Sequence, residues 1–262
     1  ALLYLPEKPA RQKLPAIVFT YGHGGSKSAW QYHYAAQLYA KLGLACLAID
    51  PIGEEERHVK ARMGSRAHDP KPVHEAADDA GRLIMGKLVF DTMRAIDFLD
   101  QRTDINPDRI GVAGNSLGGA TAGWMTAVEP RLRMALVCGW AFENIGIRTK
   151  YCTKAPNQRM RDLISWSDFL ALGAPHCATL IMNGTADWVI DREDNRQAWS
   201  GMDQAVASAA ETYRTLGAEN GIATWYEPAG GHRPYFAYRE ALHWIHQRLG
   251  IPGLTAEKID SL

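Results

Sequence analysis

Three side chains of the kinds that perform acyl chemistry stand at the ends of apolar segments in this sequence. The first is Ser116, in Gly114-Asn115-Ser116-Leu117-Gly118-Gly119, a G-x-S-x-G placed directly after one strand-like run and before a helix-like one. That context is what the motif requires. A nucleophile on such a turn needs glycine on both sides, because the backbone bends sharply and a Cβ would collide with the neighbouring strand and helix; Gly114 and Gly118 supply it. Ser116 then sits at a helix N-terminus, where unpaired N–H groups and the dipole favour a developing oxyanion. The plain alternative is a helix-capping serine in a Gly-rich turn.

A serine hydroxyl needs a histidine to take its proton and a carboxylate to orient that histidine. Both follow in order. Asp187, in Asn183-Gly184-Thr185-Ala186-Asp187, stands just past the strand Thr179–Met182, 71 residues after the serine. His232, in Gly230-Gly231-His232, stands just past the strand Ala223–Glu227, 45 residues after the acid. All three fall at carboxyl ends of strands, the edge where parallel sheets bind ligands. Asp191 and Asp194 lie further from the strand end, as caps or solvated residues; His33, His243 and His246 fall on helical patterns, and His176 has no partner pattern. His58, His68, Asp69 and His74 share one long polar stretch, but their spacing matches no compact ligand motif, so no metal is expected.

Tyr21-Gly22-His23-Gly24-Gly25-Ser26 follows the strand Ala16–Thr20. Consecutive glycines let N–H groups point into a site, and with a G-x-S-x-G this loop supplies one oxyanion donor while the residue after the nucleophile, Leu117, supplies the other. Gly25 is the first choice on the loop and Ser26 the next; a plain Gly-rich turn is the alternative. Lys27-Ser28 at its end suggests a phosphate loop, yet Ser26 occupies the position where that motif needs glycine. Arg57 on the long polar stretch and Trp140, Trp166 or Trp188 near strand ends are candidate substrate-binding residues, with ordinary packing as their alternative.

The elements that must position these residues alternate. Short strands at Leu2–Leu5 and Ala16–Thr20 precede a helix over Tyr32–Leu42 and a strand Leu44–Ile49. The stretch from Gly53 to His74 exceeds a usual connection, which marks a functional loop. Leu83, Leu88, Phe90, Met93, Ile96 and Leu99 recur at helical spacing, and Asn106-Pro107-Asp108 ends that segment before a strand Arg109–Ala113. After Ser116 come a helix, strands Ala135–Cys138 and Thr179–Met182, a helix Asn195–Leu216, the strand Ala223–Glu227 and a helix Tyr235–Leu249. Strands alternating with helices mean an α/β protein, a mostly parallel central sheet with helices on both faces. Residues 142–176 interrupt the alternation and are expected to form a lid or cap.

At 262 residues, the chain fits one domain spanning 1–262. Its composition, 46% apolar and 22% charged, excludes a disordered or fibrous chain. Lys plus Arg and Asp plus Glu both number 29, which leaves no polycationic surface for nucleic acid. No apolar run approaches the roughly 20 residues of a membrane helix. Cys46 and Cys138 lie in apolar runs as buried thiols, and sequence leaves the pairing of Cys152 with Cys177 open. The chain starts at Ala1 with no basic or apolar leader, which fits an exported protein after signal-peptide removal or a trimmed chain. Oligomeric state is not legible.

From Leu2 to Leu249 the chain resembles the α/β-hydrolase superfamily, whose order of nucleophile, acid and base is that of Ser116, Asp187 and His232. More narrowly, Asp50-Pro51-Ile52-Gly53 followed by Glu56-Arg57, with Gly231-His232-Arg233-Pro234-Tyr235, resembles bacterial acetyl xylan esterases and dienelactone-hydrolase-like esterases. The resemblance implies a carbohydrate or small acyl ester as substrate. Two departures stand out: the chain opens at the superfamily's second strand, which implies an absent first strand or preceding domain, and Asn115 stands where many relatives carry histidine. The expectation is a serine carboxylic-ester hydrolase working through an acyl-enzyme without a cofactor. Its rivals are a peptidase or acyltransferase on the same triad, and a hydrolase-fold binding protein without activity.

Overall fold

A computed structural model describes residues 1–7, 12–64, 73, 75–76, 84–140, 162–190 and 196–262, with the backbone alone for 196–200. Seven strands form one sheet: β1 (Leu2–Tyr4), β2 (Leu14–Thr20), β3 (Ala45–Ala48), β4 (Ile105–Asn115), β5 (Leu132–Cys138), β6 (Ala178–Gly184) and β7 (Ile222–Glu227), in the order β1-β3-β2-β4-β5-β6-β7. β1 pairs antiparallel with β3 and every other pair is parallel. The expected α/β architecture, mostly parallel and covered on both faces, is the observed one.

Alternation along each strand builds two cores. Ala16 and Val18 of β2 point into one and Ile17 and Phe19 into the other. Being buried on both faces, β2 reads as a continuous apolar run rather than an alternating one. One face is covered by α2 (Ile84–Asp100), α3 (Leu117–Val128), α4 (Trp166–Ala171) and α5 (Arg196–Thr215), and the other by α1 (Trp30–Leu42), α6 (Arg239–Leu249) and α7 (Ala256–Asp260). Among the described residues, no helix is long and apolar enough to cross a membrane.

Several boundaries differ from expectation for identifiable reasons. β4 begins at Ile105, because Leu14 pairs with Ile105 before the ladder jumps to Ala16–Ile110. The bulge absorbs Pro107, which cannot donate to a ladder. α6 begins at Arg239 rather than Tyr235, since Tyr238 N–H closes a turn on Tyr235 O at 3.1 Å. α7, which no periodicity announced, is one turn capped by the Thr255 hydroxyl. Most of the expected lid lies outside the described residues. Its described end holds α4, whose Trp166, Phe169 and Leu170 are buried in the main core, so this part packs as body rather than as a flap.

Candidate active site

β4 ends at Asn115 and α3 begins at Leu117, so Ser116 alone makes the corner. Its φ of 62° and ψ of −120° form a strained conformation for a residue with a side chain. The corner is held by Ser116 N–H donating to Cys138 O at 2.9 Å, and by Ala120 N–H donating back to Ser116 O at 2.9 Å. The flanking glycines are sterically required: a Cβ on Gly114 would run into the Gly118 carbonyl and the Thr20 hydroxyl, and one on Gly118 into the Thr20 carbonyl. Thr20 Oγ1 donates to Gly118 O at 2.7 Å, tying β2 to the first turn of α3.

Asp187 is fully buried in the loop after β6. Its Oδ1 accepts from Val189 N–H at 3.0 Å and Ile190 N–H at 3.3 Å, and its Oδ2 from His232 Nδ1 at 2.7 Å. An ionised carboxylate only accepts, so Nδ1 carries the hydrogen and Nε2 is left as the basic lone pair. Nε2 is buried with no hydrogen-bond partner, so the Ser116 hydroxyl does not bond it in the resting geometry. Such contacts commonly tighten only when substrate binds.

The loops carrying Asp187 and His232 interlock. Thr185 N–H donates to Glu227 O at 2.9 Å, Ala186 N–H to Gly230 O at 2.9 Å, and Ala229 N–H to Thr185 Oγ1 at 2.8 Å. Tyr235 OH donates to Gly231 O at 2.6 Å, and burial pushes that phenol up to about 12 against the pull of Arg233, which keeps it a donor. The imidazole then lies against Gly139, just past β5, where a Cβ would be 2.9 Å from His232 Cε1 and 2.5 Å from Asn115 Oδ1. Asn115 directly precedes Ser116, so the imidazole reaches the corner made by Ser116 across the β5 end. Ser116, Asp187 and His232 therefore share one edge of the sheet.

The other expected residues separate. Leu117 opens α3, where helix geometry leaves its N–H without an intrahelical partner. The Gly25 N–H donates to Gly22 O at 2.9 Å, so it is engaged in the turn rather than presented to the site, a correction to its expected role. Gly22 on this loop packs against Ser116: a Cβ there would be 3.1 Å from Ser116 Cβ. Ser26 donates its hydroxyl to Glu55. Arg57 is also committed internally, donating to Asp50 O at 2.9 Å and pairing with Asp91 at 2.7 Å. Trp140, expected as a pocket wall, is 1% exposed and packs edge-on against Trp166 and over Gly123, so it belongs to the core. Trp188, next to Asp187, is 63% exposed.

His58 Nδ1 accepts from Lys60 N–H at 3.1 Å; His68, Asp69, His74, Asp191 and Asp194 lie outside the described residues, and among those described no His, Cys, Asp and Glu cluster could hold a metal. Cys46, Cys138 and Cys177 are buried free thiols, with desolvation raising Cys177 to about 12. Cys152 lies outside the described residues. Sequence reasoning missed Gly22 and Gly139, and the signal was present: each is a glycine one or two residues past a strand that borders β4.

A parallel sheet with a strained serine elbow after its central strand, and acid and base on later loops, is the α/β-hydrolase fold. A glucuronoyl esterase from Solibacter usitatus superposes with a TM-score of 0.65 at 15% identity, over 95% of this chain and 76% of that one. A carbohydrate esterase family 15 glucuronoyl esterase from Caldicellulosiruptor kristjansonii gives 0.64 at 17%, over 98% and 73%. At these identities the likeness establishes the fold. Residues 1–142 match the acetyl xylan esterase (AXE1) family, which is more than half of the 262 residues, and the chain belongs to that family. YtaP of Bacillus subtilis (strain 168), which carries the name of a hydrolase, is 26% identical over 160 residues, 56% of this chain and 50% of its own. The thiohydrolase apmlB of Arthrinium phaeospermum is 30% identical over 155 residues, 57% of this chain and 44% of its own. The chain spans about half the length of the curated relatives it matches.

Proposed function

We propose that this protein is a serine carboxylic-ester hydrolase that deacylates carbohydrate or other small acyl esters through a covalent intermediate. Ser116 Oγ attacks the ester carbonyl carbon while its proton passes to His232 Nε2. The tetrahedral oxyanion collapses, the bond to the alcohol oxygen breaks, and His232 returns the proton to the leaving alcohol. Water repeats the sequence on the acyl-serine and releases the acid. Asp187 holds the imidazole tautomer and stabilises its charge. The N–H of Leu117 and one from the Gly22–His23 part of the β2 loop receive the oxyanion, each worth about 3 kcal/mol where such donors have been removed from a hydrolase. Trp188 offers an aromatic face beside the acid for the acyl or sugar part of the substrate.

The observation that supports this reading most is the 2.7 Å Asp187–His232 bond, which leaves Nε2 buried and unpartnered at the corner made by Ser116. Membership of the acetyl xylan esterase family favours an acetylated carbohydrate. The thiohydrolase names of two fungal relatives favour thioesters as a second class on the same residues. The test is hydrolysis of 4-nitrophenyl acetate, acetylated xylan and an acetyl thioester by wild type and Ser116→Ala. Loss of about 10⁵-fold or more in kcat in the variant is expected; equal rates in both would refute the assignment.

A further inference from the structure

The turn after β2 is tied down by a charge cluster for which the proposed chemistry has no use. Lys27 points inward, its side chain 8% exposed, and its Nζ lies 2.6 Å from Asp50 Oδ2, 2.6 Å from Glu55 Oε2 and 3.2 Å from Glu56 Oε2. Its main-chain N–H donates to Asp50 Oδ1 at 3.0 Å, and the preceding Ser26 hydroxyl donates to Glu55 Oε1. The receiving segment is itself anchored. Glu55 takes a φ of 41° and donates its N–H to Arg62 O at 2.9 Å, while Arg57 fastens the Asp50 carbonyl to Asp91 on α2. Burial opposes the charges, yet hydrogen bonds with Asp50 and Glu55 raise the Lys27 ammonium above its ordinary range. Against the same desolvation, Lys27 and Ser26 lower Glu55 to about 2. Lys27 and Glu55 thus hold each other in their charged forms.

The other end of this turn is Gly22, packed against Ser116, and the Gly25 N–H to Gly22 O bond makes the segment one compact unit. Where Lys27 is tied therefore sets where the N–H groups near the nucleophile lie. Without the ammonium, Asp50 and Glu55 would keep their bonds to Lys27 N–H and the Ser26 hydroxyl but lose their shared counter-charge, and their repulsion would push the turn outward.

We infer that Lys27 is a positioning residue for the transition state: by pairing with Asp50 and Glu55 it fixes the turn that presents the second oxyanion donor to Ser116. The inference rests on the ester-hydrolase reading and differs from a purely structural role in what it predicts. A misplaced oxyanion donor weakens transition-state binding and leaves ground-state binding alone. A loosened fold lowers the amount of active enzyme and leaves its constants unchanged.

The test compares wild type, Ser116→Ala, Lys27→Met and Lys27→Arg for kcat and KM on 4-nitrophenyl acetate, inhibition by an alkyl boronic acid, rate of Ser116 labelling by a fluorophosphonate, and thermal melting. Lys27→Met is expected to lose about 10²-fold in kcat with KM within about threefold, and to lose boronate affinity and labelling rate in parallel. Lys27→Arg, which keeps the charge, should recover at least about tenfold of that loss. Should Lys27→Met fail to fold, Lys27→Met/Glu55→Gln, which leaves one fewer buried charge unpaired, carries the same expectation. A folded variant with kcat and labelling within about threefold of wild type, or a loss confined to KM, would overturn the inference. Wild type that is labelled at Ser116 but hydrolyses no ester refutes the ester reading, and the labelling rates then decide the role of Lys27. Wild type that is not labelled refutes both.

Discussion

Gly139 and His232 are in such close contact that a β-carbon on the glycine would sit 2.9 Å from the imidazole Cε1 and 3.2 Å from Nδ1. The ring is thus located by a missing side chain just past β5 as much as by its bond to Asp187. Gly139→Ala should leave far-UV circular dichroism unchanged and lower kcat on 4-nitrophenyl acetate by about 10- to 100-fold, since small displacements of a general base are costly. The positive φ of 59° adds about 1 kcal/mol of strain for alanine. Wild-type turnover in a folded Gly139→Ala would show that the ring tolerates displacement.

Asp187→Asn keeps the shape of the site and reverses the hydrogen-bond demand on Nδ1, so the imidazole turns its proton toward Ser116. A fall of about 10⁴-fold in kcat is expected with little change in KM, as in other triads where the acid becomes an amide. A drop under about tenfold would place the orienting carboxylate elsewhere, and Asp191 or Asp194 would be the next variants to make.

Gly118→Ala tests the packing of the corner rather than its chemistry. Its β-carbon would occupy the space of the Thr20 carbonyl, so a loss of about 3 kcal/mol or more is expected from the urea midpoint. Thr20→Val removes only the hydroxyl, with its bonds to Gly118 O and Ala113 O, and should cost about 1 kcal/mol. If the two variants were equally stable, the tight approach of β2 to α3 would not govern the corner.

Acid unfolding should carry the signature of Glu55. Burial works against its charge, but the bonds from Lys27 and Ser26 lower it from 4.5 to about 2. The unfolded chain therefore binds a proton that the folded one refuses between those values. The resulting stability is fully present above 4.5 and is lost as pH falls toward 2. Urea midpoints measured at about pH 6, 4 and 3 should fall less steeply in Glu55→Gln than in wild type. Parallel curves would mean that Glu55 titrates normally.

The alternation of apolar runs and turns made the sheet and its helices readable, because strands buried on both faces carry little polar signal to confuse the period. The shared edge of Ser116, Asp187 and His232 was legible for a different reason: each follows the carboxyl end of a strand (β4 at Asn115, β6 at Gly184, β7 at Glu227), and strand ends in a parallel sheet lie on one edge. What escaped depended on three-dimensional neighbours. Gly25 has the type and place of an oxyanion donor, but its N–H is bonded to Gly22 O, and Trp140 has those of a pocket wall, but it is sealed between Trp166 and Gly123. Lys27 resembled part of a failed phosphate loop, since its carboxylate partners are 23 to 29 residues away in sequence. The β4 start was masked by Pro107, which local rules read as a stop and the bulge accommodates.

The turns bearing the acid and the base are sewn together largely by main-chain bonds, through Thr185 to Glu227 and Ala186 to Gly230. Point substitutions leave those stitches in place, so the proton-handling half of the centre should survive extensive diversification of its surroundings. A laboratory seeking new substrates can randomise the exposed Trp188 while keeping Asp187, Val189 and Ile190, whereas a circular permutation that opens the chain at Ala229 would undo the seam and the proposed activity in one step.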